Sequence, residues 1–299
     1  MSVRSICCDK DISFLQKYSH GVFGLNIDER SEYSIQHVAD NSLLSLVFTY
    51  DKNDLNVNVN GSVVECHELS LYLSELNVLS LLIDSTSLDV PELALILNAV
   101  KECEIKDVLI VYFEPENYSS SDSGSLNAEE FNLSDEILGF EGAGIPTISM
   151  PLEEDRIRKF IAFAGFEAGR LQSAIETYDI SSSEAKIFFG IPAFRPGWEM
   201  KSIRRNIHTL SEHSFGGRIG YCSANNVTDA LRSLYRIKFE EDAMFYLLPL
   251  GTKPNSIAAI IFKIENDERV RILYDQPQKK VGRSQGVGRR HYYHYRIGQ

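Results

Sequence analysis

The sequence predicts an α/β protein: a Rossmann-like, mainly parallel sheet flanked by helices, with an N-terminal antiparallel β-hairpin region. Three observations predict it. From residue 78 onward, short continuous apolar runs alternate with stretches of helical periodicity, the pattern of strands buried on both faces between crossover helices. Most of these runs end in clusters of Gly, Pro, hydroxyl or charged residues, the chemistry of turns and strand-end loops. Upstream, the runs 55–59 and 62–66 flank Asn60-Gly61, a dipeptide suited to a type I′ hairpin turn because both central residues need positive φ.

Taken in order, residues 1–40 read as an irregular lead-in with one short helix, and 43–50 as an apolar, β-prone run. The alternation Asn56-Val57-Asn58-Val59-Asn60 fits a half-exposed strand. A boundary is expected after residue 77, leaving 1–77 as a β-rich region and 78–299 as the Rossmann-like domain. Residues 78–84 read as a buried strand, and Asp89 and Pro91 as the cap and first turn of a helix to Glu102. Residues 108–113 are the next strand. The stretch 117–150 is polar, acidic and long for a connection, and reads either as a mobile acidic loop or as an insertion with a short helix near 128–133. Strands are then expected at 159–164, 185–189, 243–248 and 270–274, with a helix through 178 following the segment 165–170 and further helices at 198–211, 226–236 and 255–265. Residues 291–296 read as an edge strand that packs its tyrosines, after a glycine-rich basic connector at 282–290.

The chain has 299 residues, 43% apolar and 24% charged, with a net charge of -12. These proportions exclude disordered, collagenous and coiled-coil classes. No run approaches the roughly 18 apolar residues of a membrane span, and residues 1–10 lack the apolar core of a secretory signal. The five cysteines are odd in number and widely spaced, as expected of free thiols in a reducing cytoplasm. Charge is uneven: residues 107–155 hold twelve acidic residues and no Lys or Arg, whereas 279–299 hold six basic residues and no acidic one. An acidic body argues against nonspecific nucleic-acid binding. The basic tail either holds a phosphate-bearing ligand or folds against the acidic segment of its own chain.

Ligands of open parallel sheets bind beyond the carboxyl ends of the strands, and three strand ends stand out. Gly251-Thr252-Lys253-Pro254 combines a glycine, a hydroxyl and a cation with the start of a helix, a corner suited to phosphate. It is not a Walker A loop, since residues 246–250 contain no glycine. Ser85-Thr86-Ser87 supplies hydroxyls for an anion, or simple helix caps. Glu167 and Arg170, flanked by Gly165 and Gly169, place a cation in the first turn of a helix, where it needs an anion or a carboxylate. Arg283, in the glycine-rich basic stretch, is a further candidate. Asp84, Glu114, Glu167 and Asp275 stand at strand ends and would form a magnesium site if they converged.

The segment from Phe245 to Ala258, centred on Gly251-Thr252-Lys253-Pro254, and the following Arg271-Ile272-Leu273-Tyr274 resemble the CARF family, the Rossmann-like sensor domains of CRISPR-associated proteins. The resemblance is close over about 35 residues and covers 78–277 in outline. It implies binding of a cyclic oligonucleotide messenger across a homodimer. By the family pattern Thr252 and Lys253 contact ligand phosphate, and Ser85-Thr86 lies near the first ligand-contacting loop. The acidic insertion at 117–150 lies outside that pattern, and no effector nuclease is recognisable after the Gly-Thr-Lys step. The function expected is therefore that of a cytoplasmic sensor for a nucleotide or other phosphate-bearing ligand, with a role in prokaryotic antiviral defence and a homodimer or complex partner. The ligand site expected comprises Ser85, Thr86, Glu167, Arg170, Gly251, Thr252, Lys253 and Arg283. The alternatives are a metal-dependent phosphodiesterase or nuclease and a non-enzymatic subunit docking through 107–155. No cofactor is named by the sequence.

Overall fold

The computed structural model describes residues 2–119, 131, 133–136, 139–140, 144–149 and 156–297. The short helix expected near 128–133 falls mostly outside these residues, as does the acidic run 153–155. The fold is α/β, with seven α-helices among the described residues. It divides into two compact units, one of Met1–Leu133, Ile145–Thr147 and Lys279–Gln299, the other of Ser134–Gly144 and Ile148–Gln278. A short two-stranded ribbon pairs β8 (Ser134–Glu136) with β14 (Gln278–Lys279).

The first unit contains β1 (Val3–Cys8), β2 (Tyr18–Phe23), α1 (Glu29–Asp40), β3 (Ser42–Asp51), β4 (Asn56–Val59), β5 (Ser62–Glu65) and α2 (Leu69–Glu75). It continues with β6 (Ser80–Asp84), α3 (Val90–Glu102), β7 (Asp107–Tyr118) and β15 (Ser284–Tyr295). Its eight strands run in the order β1-β15-β7-β6-β2-β3-β4-β5. The four central strands, β7, β6, β2 and β3, are parallel, and the outer pairs are antiparallel. The sheet is therefore mixed. The hairpin read from Asn60-Gly61 is present between β4 and β5, with φ of 52° and 89° at the two turn residues.

Two expectations need correction here. Residues 1–77 are not a separate β-rich region, because β2 pairs with both β3 and β6 in parallel. The supposed lead-in contains a core strand and a twelve-residue helix. That helix starts at Asp28, whose side chain accepts from Ser31 N at 2.8 Å in a capping box. The tail strand, second, is not an edge. β15 lies between β1 and β7, so Tyr292, Tyr293 and Tyr295 are at most 1% exposed. It does pair with the start of the acidic segment, as one reading of the tail expected: His291 meets Glu114 at 2.6 Å and His294 meets Asp107 at 3.3 Å. Arg289, Arg290 and Lys279 instead find Asp9, Asp11 and Asp89.

The second unit alternates strictly: β9 (Arg158–Ala164), α4 (Ala168–Tyr178), β10 (Ala185–Gly190), α5 (Trp198–Glu212), β11 (Ile219–Cys222), α6 (Val227–Glu240), β12 (Met244–Pro249), α7 (Lys253–Glu265) and β13 (Val270–Ile272). The strands β9 to β13 form one sheet and are all parallel. Their order is β11-β10-β9-β12-β13, so consecutive strands step outward one way from β9 and then the other way from β12. Phe160, Ala162 and Ala164 of β9 pack one face against Leu171, Ala174 and Ile175 of α4 and Leu210 of α5. The single sheet expected over 78–277 is thus two sheets, with β6 and β7 in one and β9 to β13 in the other.

Where β9 and β12 end, their backbones nearly touch. A Cβ on Gly165 would stand 2.5 Å from Leu250 O and 3.4 Å from Gly251 Cα. Neither obstacle is a movable side-chain tip. Gly165→Ala is expected to cost about 2 kcal/mol through overpacking. At Gly169, four residues on, a Cβ meets nothing within 4 Å, so Gly169→Ala is expected to be neutral or slightly stabilising. Urea unfolding of the two variants checks the contrast, and equal stabilities would refute it.

Candidate functional site

In a doubly wound sheet the crevice for a ligand opens where the strand order reverses, beyond the carboxyl ends. In the second unit that point lies between β9 and β12, the strands followed by Gly165-Phe166-Glu167 and Gly251-Thr252-Lys253. The sequence therefore located both flanks of the reversal. The side chains do not all play the parts expected of them. Gly251 serves chain packing, since its Cβ would be 3.2 Å from the carbonyl oxygens of Phe163 and Ala164. Thr252 Oγ1 lies 2.5 Å from Ala224 O and 2.6 Å from Asn255 Oδ1, so its proton is shared between acceptors of the chain itself. Asn255 in turn donates to Ser223 O at 3.3 Å. Lys253 opens the first turn of α7, with Pro254 beside it. The main-chain amides there point out of the helix end, and the helix dipole favours an anion.

Arg170 is committed more firmly. Its Nε and Nη2 donate to the two oxygens of Asp275, each at 2.6 Å. Arg170 is 6% exposed and Asp275 0%. Glu167 adds a carboxylate at 3.5 Å, and the guanidinium lies 5.8 Å from the Tyr274 ring centroid. Burial opposes the charge on Arg170, but the hydrogen bonds and charge of Asp275 outweigh it and raise its pKa. The sequence placed Arg170 beside Glu167 correctly and missed the dominant partner, 105 residues away. Two further polar side chains of the site carry no local sequence signal. Ser202 and Asn206 of α5 donate to Gly165 O at 2.8 and 3.0 Å, fixing the end of β9.

The chain matches no protein-family model and no curated protein. Its reading therefore depends on the geometry.

The corresponding edge of the first unit is closed by its own hydroxyls. Strand order reverses between β2 and β6, where Asp84, Ser85, Thr86 and Ser87 are all at most 5% exposed. Ser85 Oγ donates to Val111 O at 2.7 Å, and Thr86 Oγ1 accepts from Phe113 N at 3.1 Å. Asp84 accepts from Ser34 Oγ at 2.8 Å, Ser87 Oγ at 2.6 Å and Thr86 N at 2.8 Å. Burial raises the Asp84 pKa and these donors partly offset the rise. Ser85 and Thr86 thus tie β6 to β7. The third cation expected at the site, Arg283, immediately precedes β15 in this unit, whereas Glu167, Arg170 and Lys253 belong to the other.

The carboxylates weighed as magnesium ligands are engaged separately: Asp84 by hydroxyls, Glu114 by His291, Asp275 and Glu167 by Arg170. Among the described residues no three His, Cys, Asp or Glu side chains converge as a metal site requires. A groove of about 230 Å³ in the first unit lies at the opposite edge, lined by Phe14, Lys17, Tyr18, Ser80 and Asp107, and contains none of the expected residues. No helix among the described residues is long and apolar enough to cross a membrane.

Proposed function

We propose that this chain is a binding protein that holds a nucleotide or another phosphate-bearing ligand at the carboxyl edge of the second unit's sheet. The observation that carries this reading is the reversal of strand order between β9 and β12, with Lys253 and the first turn of α7 at that point. Phe166, half-buried after β9, meets the buried Trp198 at the start of α5 edge to face at 6.0 Å and supplies an aromatic side chain beside this edge. Lys253 and the amides of α7 would take the phosphate, and Arg170 would act from behind by fixing the start of α4 through Asp275. A cyclic oligonucleotide is the ligand class implied by the resemblance of 245–258 to sensor domains, and a sensory role in antiviral defence follows from the same resemblance.

Calorimetric titration with mononucleotides and with cyclic di-, tri-, tetra- and hexanucleotides tests the reading. One of these ligands is expected to bind, with Lys253→Ala weakening it at least tenfold, about 1.4 kcal/mol. Absence of binding across the panel, or equal affinity in Lys253→Ala, would overturn it.

A further inference from the structure

The first unit contains two arginines that each keep a buried Nε–H with no hydrogen-bond partner. Arg30 stands in the first turn of α1 and is 2% exposed. Its Nη1 reaches Tyr112 Oη at 3.3 Å and Phe113 O at 3.2 Å, both neutral groups. Among the described residues its one carboxylate within ion-pair range is Asp28, at 4.0 Å. Asp28 also accepts from Ser31 N at 2.8 Å and from Ser284 Oγ, and the charge of Arg30 works to lower its pKa. Arg30 Nε is buried and has no hydrogen-bond partner.

Arg283 precedes that same Ser284. Its main chain is held by Ser119 N, which donates to Arg283 O at 2.9 Å, and by Gly282 N, which donates to Ile27 O at 2.8 Å. Its Nε is likewise buried without a partner. Its guanidinium makes no hydrogen bond or ion pair with any described residue. Both arginines act on one phenol: Arg30 lies 5.7 Å from the Tyr112 ring centroid, and the charges of Arg30 and Arg283 both work to lower the Tyr112 pKa against its burial.

A guanidinium does not deprotonate in proteins, and a buried N–H left without an acceptor is costly, both for the buried Arg30 and for the half-buried Arg283. Two of them, each with a spare Nε–H, match the paired donors that a tetrahedral oxyanion accepts. Their place is also apt. The β2–α1 loop, the end of β7 and the start of β15 meet there, on the edge of a doubly wound sheet where anionic ligands bind.

We propose that the first unit binds a phosphate group at Arg30 and Arg283, beside Tyr112. This site is separate from the one at Lys253 and stands whether or not that reading holds. The phosphate comes either free or as part of a nucleotide, and the recognising chemistry is the same.

The test uses the full chain with inorganic phosphate, pyrophosphate and ADP, each against chloride of equal ionic strength, followed by calorimetry and thermal unfolding. At least one of the three is expected to bind and raise the melting temperature. Binding of phosphate or pyrophosphate assigns a free anion, and binding of ADP alone assigns a nucleotide. Arg283→Ala is expected to weaken binding at least tenfold, and Lys253→Ala to leave it within twofold. In chloride alone, Arg283→Ala is expected to be as stable as wild type or more so, because it removes one of two like charges. Three results would overturn the proposal: no binding by any of the three, unchanged affinity in Arg283→Ala, or a loss of stability in that variant equal in chloride and phosphate. The last would place the partner of Arg283 within its own chain.

Discussion

Asp275→Ala is expected to destabilise the protein by about 3–5 kcal/mol, the usual cost of stripping one member from a buried ion pair. The variant leaves Arg170 charged, 6% exposed and without either of its 2.6 Å hydrogen bonds. Glu167, at 3.5 Å, compensates only in part. Because the penalty comes from an orphaned charge rather than from lost attraction, removing both partners should cost less than removing one. The double variant Arg170→Met with Asp275→Leu is expected to recover at least half of the loss. Urea unfolding of the two single variants and the double one measures this. A cost below about 1 kcal/mol for Asp275→Ala, or a double variant as unstable as the sum of the singles, would show that the pair is not the clamp of this edge.

The second large effect depends on pH. Glu92 closes the capping box of α3 by accepting from Asp89 N at 2.6 Å, and it also accepts from Tyr50 N at 3.1 Å. Burial and the neighbouring Asp89 push its pKa from 4.5 up to about 7, with Lys279 working the other way. Between those values the folded protein holds a proton that the unfolded chain has released. Stability therefore falls as pH rises through this window, and the loss is complete above about pH 7. At about 1.36 kcal/mol per pKa unit the full loss is about 3 kcal/mol. Glu92→Gln does not titrate and meets one of the two donors with an amide nitrogen, a cost independent of pH. Its stability relative to wild type is expected to improve by up to this amount between pH 4.5 and pH 8. Denaturant midpoints across that range give the answer, and a difference that does not vary with pH would refute it.

What was legible in the sequence follows physical lines. α3 was readable because Asp89, Pro91 and Glu92 write its start in local chemistry, and the cap is present. β9, β10 and β12 were readable as short, mostly apolar runs, broken in β10 only by Lys186, since a strand buried on both faces needs little else. β2 was not. Tyr18-Ser19-His20-Gly21-Val22-Phe23 is polar at half its positions, and burial comes from its neighbours: a Cβ on Gly21 would lie 2.3 Å from Ser42 Oγ and 2.8 Å from Val38 Cγ1. Missing β2 hid the reversal in the first sheet, and with it the division into two units. At the candidate site, Gly251-Thr252-Lys253 was found because the turn and helix start are local. Asp275, Asn206 and Arg30 owe their roles to partners 105, 41 and 83 residues distant, and no window of sequence shows such pairings.

The position of β15 has a consequence for how this protein is made. Val3 pairs with Tyr295, and β15 separates β1 from β7. A ribosome that has delivered residues 1–133 has not yet supplied the strand that joins β1 to the rest of the sheet. That strand is delivered only after every strand of the parallel sheet, β9 to β13, has been synthesised. The nascent first unit therefore waits with one flank of its sheet open until residues 284–295 emerge, an interval in which exposed strand edges invite mispairing.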